Sequence, residues 1–246
     1  MKNLLFLFLL TLFTSILFSQ NEKGWEIGLD AGFNLSKFTG KYSDTDDTKN
    51  KFIGTPAVGI KTAYNLTSMI AITAGFYLMK TGGLYFYTNQ YENTVYEIRQ
   101  RERFTTLRIP VAARFTWGKI WQYYGSIGFY MSYKLCGKYV VKVPDDNYEQ
   151  SGKIIFKEEP ENYQGDDWYL SKDDYKRLNV GLEVGGGVRR EIGPGYIGVN
   201  ATFGYGFCDF YKWDDKNDKP DGYKPYMDMN IAFMVTYVIL LNSMMN

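Results

Sequence analysis

From Trp25 to Ser36 the chain alternates without a break. Odd positions Trp25, Ile27, Leu29, Ala31, Phe33 and Leu35 are apolar, and even positions Glu26, Gly28, Asp30, Gly32, Asn34 and Ser36 are small, amide or charged. Successive side chains of a strand point to opposite faces, so this is a strand with one oily and one wet side. A tilted strand needs about 9–11 residues to cross a bilayer, whereas strands of soluble domains peak near 5–6. The stretch is long enough to span, with lipid on its apolar face and a polar lumen on the other.

Seven further segments repeat the pattern, centred on Val58–Leu66, Ile70–Met79, Thr106–Trp117, Tyr123–Leu135, Leu178–Arg189, Ile197–Phe207 and Met227–Tyr237. The expected fold is an all-β, eight-stranded antiparallel up-and-down transmembrane β-barrel, an even strand number as bacterial outer-membrane barrels have. The connections near Thr67, Gly118–Trp121 and Ile192–Gly195 are short. Those at Thr39–Lys51, Gly82–Glu102, Gly137–Lys176 and Cys208–Pro225 read as long polar loops. Short periplasmic turns and long extracellular loops are the outer-membrane arrangement, with both mature termini periplasmic. Trp25, Tyr64, Trp117, Trp121, Tyr123 and Tyr196 fall at the short-turn rim. Phe38, Phe52, Phe104, Tyr133, Phe207 and Tyr226 fall at the long-loop rim, suggesting two interfacial girdles.

The N-terminus fits this address. Residues 1–20 read as a signal peptide, with Lys2 ahead of an apolar run too short for a comfortable membrane helix, and 21–246 as the barrel domain. The alternative is a soluble secreted β-barrel binding protein. Its apolar face would be a core and its glycine face a solvated surface, but soluble surfaces favour Lys and Glu over strand-weakening Gly. A net charge of +1 offers no footprint for nucleic acid.

Chemistry is sparse. There is no His, so the triads that need an imidazole base are excluded, and no carboxylate pair is placed in a cleft. The expectation is a non-enzyme without metal or cofactor. Nine inward-parity charges, Glu26, Asp30, Lys61, Arg108, Arg114, Lys134, Glu183, Arg189 and Asp228, form a candidate luminal network. It reads either as a salt-bridge plug, since eight strands enclose just enough room for side chains, or as the lining of a small passive channel. Asp30, Asp228 and Lys61 lie on strands adjacent in a closed barrel.

In the third long connection, Trp168 and Tyr169 stand among acids and are candidate recognition anchors. Asp214, Asp215, Asn217, Asp218 and Asp221 lack a calcium-loop register and read as solvated. Cys136 and Cys208, both on inner parity, lie on non-adjacent strands, so a disulfide would have to cross the strand between them.

The chain resembles the PorT-type outer-membrane β-barrel family of Bacteroidetes. Gly28–Ser36 resembles its opening G-x-x-x-G-x-N-x-S, Leu107-Arg108-Ile109-Pro110 its L-x-I-P, and Phe76–Gly82 its aromatic strand end followed by Lys-x-Gly. Arg108 stands where that motif often has Glu. The resemblance implies an outer-membrane address and a structural, loop-presenting or export-associated role. The implied partners are outer-membrane lipid, the insertion machinery and protein-secretion components.

Overall fold

A sheet with one face in hydrocarbon cannot leave backbone edges unpaired, and closing into a barrel is the only escape open to strands. The computed structural model describes residues 24–41, 48–91, 94–144, 148–154, 156, 176–211 and 219–241. The candidate leader, Trp168, Tyr169 and residues 212–218 of the acidic last connection lie outside them. In chain order the strands are β1 (Gly24–Lys41), β2 (Lys49–Lys51), β3 (Ile53–Asn65), β4 (Ile70–Tyr91) and β5 (Thr94–Trp117). Then come β6 (Trp121–Val143), β7 (Tyr148–Ile154), β8 (Leu178–Ile192), β9 (Gly195–Gly206) and β10 (Lys224–Leu240). Eight of them form an antiparallel ring, β4-β3-β1-β10-β9-β8-β6-β5, closed by the β4–β5 ladder. The short strands β2 and β7 add to β4 and β6 beyond the ring proper.

The alternation faces the way the sequence requires. Ile27, Leu29, Phe129 and Val199 are 45–66% exposed, whereas Glu26, Asp30, Arg108 and Arg114 are at most 5% exposed. Apolar residues therefore coat the outside, and charge is enclosed. Glycine makes room for bulky residues within. The Tyr77 ring occupies the space where a Cβ on Gly59 or Gly75 would sit, Tyr124 does the same at Gly187, and Tyr130 at Gly181.

Three expectations are corrected. Gly82–Glu102 is a strand hairpin over its described residues, because β4 continues to Tyr91 and β5 begins at Thr94. The start of Gly137–Lys176 is likewise strand, with β6 reaching Val143 and β7 folding back on it. The alternation there continues with its phase reversed. Tyr85, Phe104 and Tyr139 turn inward and are buried, while Arg101, Arg103 and Lys138 turn outward into solvent.

Second, Phe38, Phe104 and Tyr226 are not girdle residues. They are buried in an aromatic cluster with Tyr85, Tyr139, Ile154, Phe156 and Phe210 that fills the long-loop end of the lumen. Tyr196, assigned to the other rim, is also buried, under the Arg189 guanidinium at 4.1 Å. Trp25, Trp117, Trp121 and Tyr123 do stand half exposed at the short-turn end, and Phe52, Tyr133 and Phe207 at the other.

Third, Cys136 is exposed rather than luminal. The β5–β6 register skips Leu135, pairing Thr106 with Lys134 but Thr105 with Cys136. That bulge moves one extra residue into β6 and inverts the facing of everything after it. Both cysteines are free thiols.

Candidate functional site

Burying ions requires partners, because a charge removed from water without them costs several kcal/mol or more. Inward parity on several strands delivers those partners in tiers along the barrel axis. Nearest the short turns, Glu26 on β1 receives Arg114 of β5 through two parallel hydrogen bonds of 2.8 and 2.9 Å. Arg189 of β8 donates to both oxygens of the same carboxylate at 3.1 and 3.0 Å. The Asn65 amide donates to Glu26 at 3.1 Å and its carbonyl accepts from Arg114 at 3.1 Å. Arg189 Nε donates to Gln122 at 2.8 Å. The parallel fork is the geometry that gives guanidinium–carboxylate pairs both strength and direction.

Two pleat repeats further in, past Gly28, Asp30 pairs with Lys61 at 3.1 Å. It also accepts the Tyr77 hydroxyl at 2.6 Å and a short hydrogen bond from Thr236. Lys61 in turn donates to Thr236 at 2.8 Å. The third tier joins Arg108 to Glu183 at 2.6 Å and to Asn230 at 2.6 Å, with the guanidinium 3.5 Å from the Tyr130 ring centre. In the fourth, Lys134 lies 4.8 Å over Phe210, and Asp228 shares the electrostatic neighbourhood of Lys134 and Arg108. Asp228 therefore sits away from the Asp30–Lys61 pair that the strand order suggested it could join.

Above the ions comes the aromatic cluster. Phe38 stacks on Phe210 with centroids 5.0 Å apart, and Phe104 meets Phe210 edge-on at 5.3 Å. Offset and edge-on ring pairs add about 0.5–1.5 kcal/mol beyond their burial. Beside this cluster Glu102 accepts from Gln100 at 2.7 Å. Burial raises its carboxyl to about 7, against the smaller opposing effect of its hydrogen bonds from Gln100 and Tyr85.

Among the described residues the cavities beside these tiers are small. Two interior cavities measure about 80 and 30 Å³, the first lined in part by Asp30, Lys61 and Arg114, the second by Arg108 and Glu183. That is room for a few waters. Among the described residues no group of His, Cys, Asp and Glu is arranged to hold a metal ion.

Several residues of the site carry no charge and escape a search for chemistry. Asn34 donates to the Lys80 carbonyl at 3.0 Å, Ser36 to that of Gly82 at 3.3 Å, and Thr55 to that of Lys80 at 2.7 Å. The β3–β4 ladder ends at Ala57 and Met79 while β1 stays paired with β3 as far as Ile53, so past that ladder Asn34 and Ser36 reach from β1 to β4 and Thr55 from β3 to β4. The Asn and Ser of Gly28–Ser36 thus meet the Lys-x-Gly at the end of Phe76–Gly82. Inward parity was the signal that could have found them.

Among curated proteins none matches. The chain is similar in structure to the outer membrane protein OprG of Pseudomonas aeruginosa, at 9% identity over 90% of this chain and 98% of that one, with a TM-score of 0.44. It is similar to the attachment invasion locus protein Ail of Yersinia pestis, at 11% identity over 88% and 99%, with a TM-score of 0.38. Neisserial surface protein A follows at 11% identity over 87% and 96%, with a TM-score of 0.37. The sequence itself matches one family model from residue 18 to residue 212. With its ring of eight strands, greasy outside and ionic within, the chain belongs to the outer membrane protein beta-barrel domain family.

Proposed function

We propose that this is a non-enzymatic, non-conducting barrel of PorT type, a scaffold that presents its long-loop end outside the cell while its short turns and termini face the periplasm. The observation that carries this reading is the double filling of the lumen. Glu26, Asp30 and Glu183 pair with Arg114, Arg189, Lys61 and Arg108 within the ring, Lys134 and Asp228 occupy the tier above, and eight buried apolar and aromatic residues cap them. A selectivity lining needs a continuous water path beside its charges, and seven of these nine are paired with one another. The export-associated role rests on the motif resemblance, which is strengthened by what the motif residues do: Asn34 and Ser36 tie β1 to β4 past the end of the β3–β4 ladder.

Planar-bilayer recording tests the closed lumen. The purified protein should insert without stepwise conductance, and discrete single-channel openings would establish the passive-channel reading instead. Affinity capture of the tagged protein from its own envelope tests the export role, which predicts co-purifying secretion components.

A further inference from the structure

On the outside of the barrel the apolar coat ends abruptly on three neighbouring strands. On β4 the outward run passes from Phe76 and Leu78 to Lys80; on β5 from Leu107 through Thr105 to Arg103 and Arg101; on β6 from Tyr133 and Leu135 through Cys136 to Lys138. The ladders put these changes in register. Lys80 faces Thr105, which faces Cys136; in the next row Arg103 faces Lys138, which faces Lys153 of β7. The bulge at Leu135 is what turns Lys138 outward. Like charges directly opposite one another destabilise a sheet, so three cations in one row is an arrangement that calls for an anion.

The chain does not supply it from its described residues. Two outward rows further from the apolar band, Arg99 faces Lys142, and each has its own carboxylate, Glu97 at 3.1 Å and Glu149 at 2.7 Å. No such ion pair is made by Lys80, Arg101, Arg103, Lys138 or Lys153 among the described residues. These cations line a groove of about 670 Å³. Its far wall is Arg177, whose guanidinium is fixed by the Lys134 and Leu135 carbonyls at 3.0 and 3.2 Å and lies 5.0 Å over Phe156.

We propose that this ledge binds the phosphorylated headgroup of an outer-leaflet glycolipid. Its acyl chains would lie on Leu78, Leu107 and Tyr133, and its phosphate would bridge Arg103, Lys138 and Lys153. The proposal rests on the reading that the long-loop end faces outward. Guanidinium forks and ammonium groups both suit phosphate, and a position directly above the hydrocarbon band selects an anion carried on a lipid over one free in solution.

The test is lipid retention by the intact mature barrel in detergent, read by native mass spectrometry with three probes: bisphosphorylated lipid A, the same lipid dephosphorylated, and inorganic phosphate as competitor. Lipid A should stay bound and its dephosphorylated form should not. The R103Q/K138Q double variant should lose retention by about tenfold, the equivalent of one lost charge-assisted contact. R99Q/K142Q, two outward rows away and already paired with carboxylates, should retain it. Equal retention of the two lipids, or no loss in R103Q/K138Q, overturns the proposal. Displacement by millimolar phosphate overturns the lipid and leaves a free-anion site. Folding of each variant is checked by its heat-modified mobility on gels. An epitope inserted in the 157–175 connection and probed on whole cells tests the orientation separately: an inaccessible epitope with intact lipid retention overturns the topology alone.

Discussion

The two ends of the lumen are filled by opposite chemistries. Near the short turns the filling is Glu26 held between Arg114 and Arg189, and near the long loops it is Phe38, Phe104 and Phe210 in mutual contact. The ionic end is directional. Each donor must arrive from a particular strand at a particular register, so it fixes which strands meet. The aromatic end is tolerant of direction but sensitive to volume. A barrel closed only by rings would be tight and poorly specified, and one closed only by ions would keep a large desolvation cost at its mouth.

That contrast predicts different failures. Glu26→Gln should have the largest effect, because it leaves two buried guanidinium groups facing each other without an anion. A loss of about 3–5 kcal/mol is expected from breaking a buried pair on one side, read by denaturant titration in detergent. Arg114→Ala should cost less, because Arg189 and Asn65 still hold the carboxylate; unchanged unfolding of Arg114→Ala would break the idea of a luminal ion network. Phe104→Ala should cost about 3 kcal/mol, near the lower end for buried Phe, because the mouth can partly collapse. It should leave the ionic tier's strand pairing intact by amide exchange. Loss of protection at both ends together would show that they are one cooperative unit.

The smallest effect belongs to pH. Glu102 ionises near 7 in the folded barrel against an ordinary value of 4.5. The unfolded chain therefore gives up this proton first, and the group's contribution is full below about 4.5 and is lost as pH rises through 7. Glu102→Gln should remove that fall, so its thermal midpoint should gain on the parent between pH 5 and pH 8. Parallel pH profiles for the two proteins would show that Glu102 is solvated.

How much of this was legible in the sequence follows from one assumption, that apolar means outward. Within the membrane-facing segments it holds, and period-two reading places Glu26, Asp30, Arg108, Arg114 and Arg189 inside. Past Lys80, Thr105 and Leu135 the solvent outside becomes water, and the same alternation reverses its meaning. Tyr85, Phe104 and Tyr139 then look like loop or girdle residues when they are interior. Cys136 departs from its inward parity for a different reason, since a one-residue bulge leaves no trace in composition. Parity marks the uncharged tethers Asn34 and Ser36 as inward, but not their role, because their partners are backbone carbonyls, which no side-chain pattern encodes.

The glycines over which Tyr77, Tyr124 and Tyr130 lie carry a last consequence. At Gly59, Gly181 and Gly187 the missing side chain is filled by a neighbour's ring from another strand, so vacancy and occupant are a single unit split between distant points of the chain. An alanine there would evict the ring, and a smaller residue in place of the tyrosine would leave a hole that the glycine cannot close. At Gly59 only the Tyr77 ring stands in the way, so the two can change together but not singly and related chains that depart from Gly there should depart from Tyr at its mate; at Gly181 and Gly187 the Tyr205 and Val199 carbonyls also bar a side chain, so glycine should persist whatever its mate.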